Sequence, residues 1–451
     1  GDLYYQTPGA LNITQYRVNP KEARQAAGGF PSADQAKAAI YQKTFMAALS
    51  NTQHFNEHWQ NRTNFYGAYT NYLNPTFLNY EIRNEPHFGG RTVFTYQSDR
   101  FQLNAGGEAQ KGFFKTEDFG NTGGSPDTVQ TNDNINTWTY SLFAQADLEF
   151  ARNWQVTAGA SFNKSFIGIH RLSVPGFVPR NKTFSNEIAP RLAVSRKISR
   201  DLLVYASVSK GFSAPAVSEV LPSNQSINTD LQPEQGICYE AGVKSGFLNQ
   251  RLYAEVVGFY FQLQKAIVVR KDASGSDYYI NAGATRQEGI ESQLSYQLIS
   301  SPGPVLTSAR LWLSYTLDRF TYQDFKKGTV DYSGKHLPGV ANNTVAGGLD
   351  LFSTAGIFLL LTYYYSDRLP LDDANTAYAD SYQLLGGKIG YKTNAIKRIN
   401  LSVFAGVDNA FNTKYSLGDD VNAAAGRYYN AAAGVNYFAG LAISYNRPKR
   451  S

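Results

Sequence analysis

Few residues of this sequence have the types and the spacing that catalysis or metal binding requires. His54 and His58 lie four positions apart, the spacing that places two metal ligands on one face of a helix. The segment between them reads as a tight turn between strands, which argues against a metal site. Two pairs of adjacent aspartates, at 372–373 and 419–420, have the carboxylates that calcium prefers, although charge exposed in loops is the simpler interpretation.

No group of residues predicts covalent chemistry. The sequence has no GxSxG nucleophile motif, no glycine-rich phosphate loop and no HExxH motif. Cys238 is the single cysteine, which excludes a disulfide framework and a cysteine-based zinc site. We therefore expect a protein that is not an enzyme and that uses no cofactor and no bound metal.

Ligand recognition is the chemistry that the remaining residues favour. Arginines near the ends of predicted strands can bind a carboxylate or a phosphate through two parallel hydrogen bonds. Aromatic side chains at the same level either stack on a ligand or anchor the protein at a membrane surface. The residues that we predict to bind a ligand, all at the outer rim of the molecule, are Tyr5, Arg83, Tyr322, Tyr332, Arg368, Arg427 and Tyr428.

Composition narrows the class of protein that could position these residues. The 451 residues include 31 Tyr and 28 Phe, only 17% are charged, and the net charge is +6. No apolar stretch approaches the roughly 20 residues of a membrane-spanning helix, so a helical membrane protein is excluded. The mild positive charge comes without basic runs, which argues against nucleic acid as a partner. The first residues lack the basic start and apolar run of a signal peptide.

Alternation of apolar and polar residues is the main structural signal. Residues 140–150, 154–162 and 435–445 place an apolar side chain at every second position, with mostly polar or small residues between. A strand points successive side chains to opposite faces, so each of these strands has one apolar and one polar face. We expect an interior position for the polar residues Gln145, Asp147, Glu240 and Lys244.

Strand length and loop length indicate where such strands belong. Many predicted strands have about 12 to 20 residues, whereas strands of soluble proteins usually have about 5–6. Short connections such as residues 152–153 alternate with long ones at 115–134, 213–235, 323–338 and 412–433. Short turns at one end and long loops at the other are typical of an outer-membrane barrel. A soluble antiparallel sheet or a propeller is the alternative, and its strands would be shorter.

The sequence thus predicts an all-β fold, a transmembrane antiparallel β-barrel that crosses the lipid of a bacterial outer membrane many times. Residues 1–38 are predicted as an extracellular loop and residues 39–451 as the barrel domain. An odd count of 17 strands leaves an edge unpaired in lipid, and five further strands would give a barrel of about 22. The predicted strands are 39–53, 57–70, 79–97, 100–115, 134–150, 154–171, 184–197, 201–212, 236–247, 251–270, 277–298, 305–321, 340–353, 356–368, 379–392, 398–410 and 432–446.

Five short motifs are specific as a set because of their order and spacing. They are LVYASVSKGF at 203–212 before Ala214 and Pro215, LQPE at 231–234 with Glu240, Gly242 and Lys244 beyond, NAG at 281–283 with GIE at 289–291, LPGV at 337–340, and VDNAFN at 407–412 with Tyr415. As a set they resemble the C-terminal barrel half of TonB-dependent outer-membrane receptors, the family of iron-siderophore and cobalamin uptake. YYQTPG at 4–9 resembles the ferric-dicitrate branch of that family.

The resemblance implies a transporter for a metal chelate, a ferric siderophore or ferric citrate, that works with the TonB–ExbB–ExbD complex. Members of the family also have an N-terminal plug domain, a TonB-contacting segment and the first barrel strands, and none of these is visible in this sequence. A second hypothesis is therefore a barrel without a plug that acts as a docking or structural subunit of an outer-membrane assembly. A barrel lipase or protease is disfavoured, because no nucleophile and base occur together.

Overall fold

The structure of the protein is a computed structural model that describes residues 1–396 and 399–445. Strands dominate it, and the helices are short: α1 Ile13–Val18, α2 Val217–Val220 and a 3-10 helix at Ala424–Gly426. No helix among the described residues has the length and apolar character to cross a membrane.

Twenty of the strands form one antiparallel sheet in the described part of the chain, and we call this sheet the wall. They are β1 Asp2–Gln6, β2 Ala39–His54, β3 Trp59–Pro75, β4 Tyr80–Asn84, β5 His87–Gln97, β6 Phe101–Thr122, β7 Ser125–Ala151, β8 Trp154–Arg171, β9 Arg180–Thr183, β10 Glu187–Lys197, β11 Leu202–Ser213, β12 Glu234–Phe247, β13 Leu252–Gln264, β16 Ala284–Ile299, β17 Leu306–Asp324, β20 Asn343–Ser353, β21 Ile357–Ser366, β24 Tyr382–Ile396, β25 Ile399–Asp408 and β26 Asn436–Tyr445.

Three small hairpins lie in the long loops between wall strands. They are β14 Ile267–Lys271 with β15 Asp277–Asn281, β18 Lys326–Lys327 with β19 Val330–Asp331, and β22 Leu369–Pro370 with β23 Tyr378–Ala379. Each is separate from the wall. The long loops therefore have regular structure of their own, which holds them in defined positions.

Chain order and spatial order coincide in the wall, because every strand pairs with its neighbours in the sequence. β4 and β5 both pair with β3, and β9 and β10 both pair with β8, so each couple is one interrupted strand. The wall thus has eighteen strand positions in the described residues. Its two ends, β1 and β26, have no hydrogen-bonded pairing with each other within these residues.

The predicted strand count needs correction. Every one of the 17 predicted strands has a counterpart in the wall, but the prediction omitted β1, which pairs with β2 from Asp2 opposite Lys43 to Gln6 opposite Ala39. The segment predicted as an extracellular loop, residues 1–38, therefore begins with a wall strand and also contains α1. β1 has only five residues and no clear alternation, so only its partner identifies it. A total of 22 strands stays a prediction, and residues 398 and 446–451 of the predicted strands and barrel domain lie outside the described residues.

The predicted loop at 115–134 is instead the tip of a long hairpin. β6 has 22 residues and β7 has 27, and their pairing continues up to Thr122 opposite Ser125. Crossing the hydrocarbon takes about 9–11 residues, so the hairpin extends well beyond the membrane. Its tip lacks an apolar face because no lipid surrounds it there, and the alternation used for the prediction ends early for that reason.

The two faces of the wall differ as the alternation predicts. Leu142, Phe65 and Leu441 are exposed by 61%, 62% and 63% on the outward face, where hydrocarbon surrounds a membrane barrel. On the opposite face Lys244 and Glu255 form an ion pair of 2.8 Å between adjacent strands. The expected interior residues lie on this polar face, with Gln145 Nε2 donating to Asp147 and Ser207 Oγ donating to Glu240.

Buried apolar clusters occur where the loops pack rather than inside the bore. One cluster joins Ile135, Ile167 and Ile169 of the wall to Phe184, Val220 and Leu231 of the loops. Two further clusters centre on Phe325 and on Leu371. A barrel this wide is not filled by its own side chains, so burial concentrates at the loop end, which we call the loop layer.

Candidate functional site

The loop layer is anchored to the wall by residues of the sequence motifs. Asn281 accepts a hydrogen bond from Gln232 N at 2.8 Å and donates to the carbonyl oxygens of Gln232 and Lys265 at 3.0 and 2.7 Å. One asparagine thus joins the loop at 214–233 to both ends of the loop at 265–283. Glu234 reinforces this junction by accepting from Ile267 N at 2.5 Å.

Glycine in the NAG motif is required by close contact. A Cβ atom on Gly283 would lie 1.7 Å from the carbonyl oxygen of Asp324, a backbone atom that cannot move aside. A Cβ on Gly289 would lie 2.3 Å from the carbonyl oxygen of Leu317. These glycines let β16 approach β17 closely where the loops begin. The motif residues therefore position the loops.

The VDNAFN motif closes the base of the last long loop, residues 409–435. Asn409 adopts a φ of 49° and donates to the carbonyl oxygens of Thr413 and Ala433 at 2.9 and 3.2 Å. Asn412, with a φ of 51°, accepts from Val435 N at 3.1 Å. Asparagine tolerates the left-handed region better than most residues, which explains both positions.

A buried ion pair joins three loops and the end of β17. Arg270 is 2% exposed and Asp373 is 5% exposed, and Arg270 Nη2 lies 3.0 Å from Asp373 Oδ2. Neither Nη2 nor Nε of Arg270 has a hydrogen-bond partner in the described residues, so the contact is mainly electrostatic. Tyr322 Oη and Asn422 Nδ2 donate to Asp373 Oδ1 at 2.7 and 3.1 Å. We call this group the Asp373 cluster.

Tyr322 and Tyr332 belong to the packing around this cluster. Tyr322 is 2% exposed, and its ring lies 4.7 Å from that of Phe325. Tyr332 stacks on Phe325 at 5.7 Å, and Arg270 lies 5.0 Å above the same ring. Both tyrosines were predicted to contact a ligand, and the structure places them among the residues that hold the loops together.

Tyr5 and Arg83 lie on either side of Tyr72 at the rim of the wall. The Arg83 guanidinium is 4.0 Å above the Tyr72 ring and 3.4 Å from both Glu81 and Glu85. Tyr5 is 46% exposed and within electrostatic reach of Tyr72. Its ring is therefore accessible, while the charge of Arg83 is already shared between two carboxylates.

Arg368 lines a polar cavity of about 350 Å³ together with His336, Asp367 and Tyr378. Its guanidinium lies 4.8 Å above the Tyr378 ring. His336 Nδ1 is enclosed and has no hydrogen-bond partner in the described residues. The cavity thus combines two groups that can donate to an anion, although Asp367 opposes negative charge there.

Arg427 and Tyr428 lie in the loop at 409–435, which folds back on the segment after β1. The rings of Tyr428 and Tyr429 meet edge to face at 6.2 Å, and Tyr16 stacks on Tyr429 at 5.1 Å. Burial raises the pKa of Tyr428, so its hydroxyl remains neutral. Tyr428 packs against the apolar cluster around Leu371, and Tyr429 Oη donates to Tyr378 O at 3.0 Å, so this loop contacts the segment that carries Arg368.

The candidate metal ligands are engaged elsewhere or far apart. Asp372 accepts from Thr376 N at 2.7 Å within its own turn, and Asp419 accepts from Ser416 Oγ at 3.1 Å. His58 Nδ1 lies 2.9 Å from the carbonyl oxygen of Gln97 at the opposite end of the barrel. In residues 1–396 and 399–445 no group of three or more His, Cys, Asp or Glu side chains could hold a metal ion. The interpretation of the aspartates as exposed loop charge is wrong for Asp373.

Two residues that the sequence did not reveal have central positions. Arg270 ends a predicted strand, and its burial was not predicted, although its place at the end of the apolar run IVVR is a signal that could have indicated it. Arg24 is 8% exposed, with its guanidinium 3.6 Å above the Phe77 ring. Its segment has no alternation and no motif, so nothing local predicted that burial.

A polar-lined antiparallel wall with an apolar outer face and one elaborate loop layer defines an outer-membrane β-barrel. The chain belongs to the TonB dependent receptor-like beta-barrel family, whose model matches residues 2–410. It is therefore a bacterial outer-membrane protein that crosses the membrane with many strands.

Solved structures share this fold at low sequence identity. The siderophore receptor PiuA from Acinetobacter baumannii matches with a TM-score of 0.73 and 14% identity over 98% of this chain and 70% of its own. The ferric citrate transporter FecA gives 0.74 and 15% over 98% and 66%, and the ferric yersiniabactin uptake receptor FyuA from Yersinia pestis gives 0.72 and 14% over the same shares.

Among curated proteins, the metal-pseudopaline receptor CntO of Pseudomonas aeruginosa is 28% identical over 161 residues. That match covers 35% of this chain and 22% of the relative. The chain thus matches about one fifth of the length of its curated relatives. The relatives are receptors and transporters by name, which agrees with the absence of catalytic motifs from the sequence.

Proposed function

We propose that this chain is the barrel portion of a TonB-dependent transporter that takes up a metal chelate. The match of residues 2–410 to the family of TonB-dependent receptor barrels is the observation that supports this function most strongly. Relatives are named as receptors or transporters for metal–pseudopaline, ferric citrate and ferric yersiniabactin. These names favour a metal chelate as the class of substrate, with a ferric siderophore or ferric citrate as the specific proposal.

Capture of the chelate is assigned to the loop layer. Of the predicted contacts we retain Tyr5, Arg83, Arg368, Arg427 and Tyr428, and give Tyr322 and Tyr332 the role of holding the loops. Arginine and tyrosine side chains supply charge-assisted hydrogen bonds and stacking surface without any covalent step. The polar face of the wall then lines the path, and its ion pairs, such as Lys244 with Glu255, give its charged side chains partners.

Energy for transport comes, in this proposal, from the TonB–ExbB–ExbD complex acting through a plug domain. In the described residues the wall is a single sheet of twenty hydrogen-bonded strands. The moving part is assigned to the plug. The barrel provides a fixed frame, and the loops provide the binding surface.

Uptake of radioactive iron tests this function in the bacterium that makes the protein. We expect deletion of the full gene, or of tonB, to abolish uptake of the cognate ferric chelate under iron limitation, and the intact gene to restore it. A protease site inserted into the loop at 412–433 should abolish chelate binding after cleavage, because that loop carries Arg427 and Tyr428.

The matched control is cleavage at the turn between β2 and β3, residues 55–58, at the opposite end of the barrel. Binding should survive that cut. Uptake that persists without TonB, or chelate binding that survives the loop cut, would contradict the proposal and favour the docking or structural role.

A further inference from the structure

Basic side chains are concentrated in two neighbouring turns at the short-turn end of the wall. The first turn joins β7 to β8 and the second joins β10 to β11, and β8 pairs with β10. Residues 149–153 and 196–201, which we call the basic rim, contain four basic residues and two acids. The basic residues are Arg152, Arg196, Lys197 and Arg200. The turns at 300–304 and 353–356 of the same end have no charged residue, so the positive charge is local.

Backbone contacts hold the two turns side by side. Arg196 lies directly opposite Trp154 in the pairing of β8 with β10. Lys197 N donates to Asn153 O at 2.8 Å, which joins the end of β10 to the turn before β8. Asn153 has a φ of 71°, a conformation that asparagine tolerates in a tight turn. The basic residues therefore extend from adjoining strand ends, whose spacing is set by the sheet.

Arg196 points to the lipid side of the wall. It continues the series of Ile188 and Leu192, which are exposed on the outward face of β10. Its guanidinium lies 4.9 Å from the Trp154 ring, and the exposed Phe150 meets the same ring at 6.1 Å. Tryptophan is enriched where a membrane meets water, and arginine extends over apolar surface to place its charge there. The guanidinium of Arg196 is therefore at the level of the lipid headgroups.

The guanidinium groups of the basic rim have no carboxylate or hydrogen-bond partner among the described residues. Asp201, an acid of the same rim, accepts from Gln250 instead. Arg251, at the turn before β13, shows the contrasting case. Its Nε and Nη2 donate to the carbonyl oxygens of Gln297 and Leu298 at 3.1 and 2.5 Å. Donors that Arg251 uses within the protein thus stay available in the basic rim.

We infer that the basic rim binds the headgroup of an anionic phospholipid in the periplasmic leaflet of the outer membrane. The short turns of such barrels lie on the periplasmic side, and basic side chains at a membrane surface attract anionic lipids. A guanidinium matches two phosphate oxygens with parallel hydrogen bonds. The acyl chains of the same lipid would lie along the outward face of β10, which continues from Arg196 through Val194 and Leu192. This inference goes beyond the proposed function, because it concerns how the membrane holds the barrel and not what the barrel transports.

Lipid binding to the purified full-length protein in detergent tests the site. Native mass spectrometry measures the affinity for phosphatidylglycerol and for phosphatidylcholine, whose choline neutralises the phosphate, with identical acyl chains. We expect wild-type protein to prefer phosphatidylglycerol, and Arg152→Gln, Arg196→Gln and Arg200→Gln each to weaken its binding about fivefold. The triple variant should lose the preference. Lys327→Gln removes the same charge from an exposed residue at the loop end, and this matched control should leave lipid affinity unchanged.

Folding of each variant is checked by its heat-dependent mobility in gels, since Arg196 also packs on Trp154. If Arg196→Gln fails this check, Arg152→Gln and Arg200→Gln carry the test. Wild-type protein that shows no preference for phosphatidylglycerol would overturn the inference. So would folded arginine variants that keep the full preference, or a loss in Lys327→Gln as large as theirs. Inorganic phosphate that displaces phosphatidylglycerol at equal concentration would also overturn it, because a free anion would then be the ligand.

Discussion

At the scale of single residues, the loop layer depends on a few buried charged and polar groups. Asp373 forms an ion pair with Arg270 and accepts a hydrogen bond from the Tyr322 hydroxyl. Arg270 and Asp373 lie in different loops, and Tyr322 lies at the end of β17. Removing one member of such a buried pair leaves the other without compensation, which costs more than the pair contributes when intact. The cluster therefore controls whether the loops stay together.

Replacing Asp373 with asparagine tests that control. The substitution leaves the Arg270 guanidinium buried without a counter-charge, and we expect the loop layer to lose about 3–5 kcal/mol of local stability. Hydrogen exchange should accelerate in residues 265–283 and 367–381, while the wall strands stay protected. Asp331→Asn is the control, because Asp331 is exposed and 3.9 Å from Lys326. Equal exchange in wild type and Asp373→Asn would show that the ion pair is dispensable.

At the scale of elements, the last long loop combines anchoring asparagines with the half-buried acids Asp419 and Asp420. Asp420 N donates to Tyr428 O at 2.9 Å, and Asn430 N donates to Asp419 Oδ1 at 3.3 Å. Burial raises the pKa of Asp420 and the pKa of Asp419, and the charge of Asp420 raises the latter further. The closed loop therefore binds protons more tightly than an open loop would.

We expect this loop to become more stable as the pH falls. A carboxyl whose pKa is raised by folding favours the folded state below its unfolded pKa, and loses that contribution as the pH rises through its folded pKa. Hydrogen-exchange protection in residues 409–435, measured relative to the intrinsic exchange rate at each pH, should therefore rise between pH 7 and pH 4.5, and Asp420→Asn should flatten the response.

The loop at 325–342, which contains the hairpin of β18 and β19, should depend on pH in the opposite direction. Hydrogen bonds from Ser333 lower the pKa of the Asp331 carboxyl, so its contribution should be lost as the pH falls. A loop at 409–435 that opens on acidification would contradict the raised pKa values of Asp419 and Asp420.

At the scale of the whole molecule, the wall has an apolar outer face and a polar inner face. These two faces explain the amino-acid composition and the direction in which each side chain of a strand points. Aromatic rings on the polar face lie flat over glycines of the next strand, as Phe404 does over Gly440 and Tyr205 over Gly242. A Cβ at either glycine would come within 2.5 Å of the ring. This packing accounts for part of the high content of glycine and aromatic residues without filling the bore.

Arginine substitutions on the two faces should have opposite consequences. Leu142→Arg places a charge on the outward face of β7, and we expect a loss of about 2–4 kcal/mol if the site lies near the membrane midplane. Ser141→Arg, one residue earlier, faces the bore opposite Glu108 and should be nearly neutral. Urea titration of protein refolded into lipid vesicles measures both. Equal losses would contradict the orientation of β7.

The sequence predicted the strands of the wall better than it predicted the structure of the loops. Alternation has a period of two residues and needs no distant partner, so β8 and β26 could be recognised locally. The predicted strand ends were less reliable: β6 and β7 continue past the membrane, where no lipid imposes an apolar face. β1 was missed because only its pairing with β2 distinguishes it from a loop.

For the predicted ligand-binding residues, the sequence identified the kind of side chain but not the residues that surround it in the fold. Tyr322 and Arg427 have the same chemistry in the sequence as any exposed tyrosine or arginine. The structure buries Tyr322 against Asp373 and leaves Arg427 Nη1 without a hydrogen-bond partner in the described residues. That difference arises from contacts between loops far apart in the chain, which leave no local pattern.

The sequence alone therefore determined the membrane barrel, its two faces and its family, because strand periodicity and short motifs are local properties of the chain. Only the tertiary structure decided how the loops meet and which charges are buried in pairs. Those outcomes depend on the free energy of desolvating charged groups in a shared space, and that space exists only once the wall has brought the loops together.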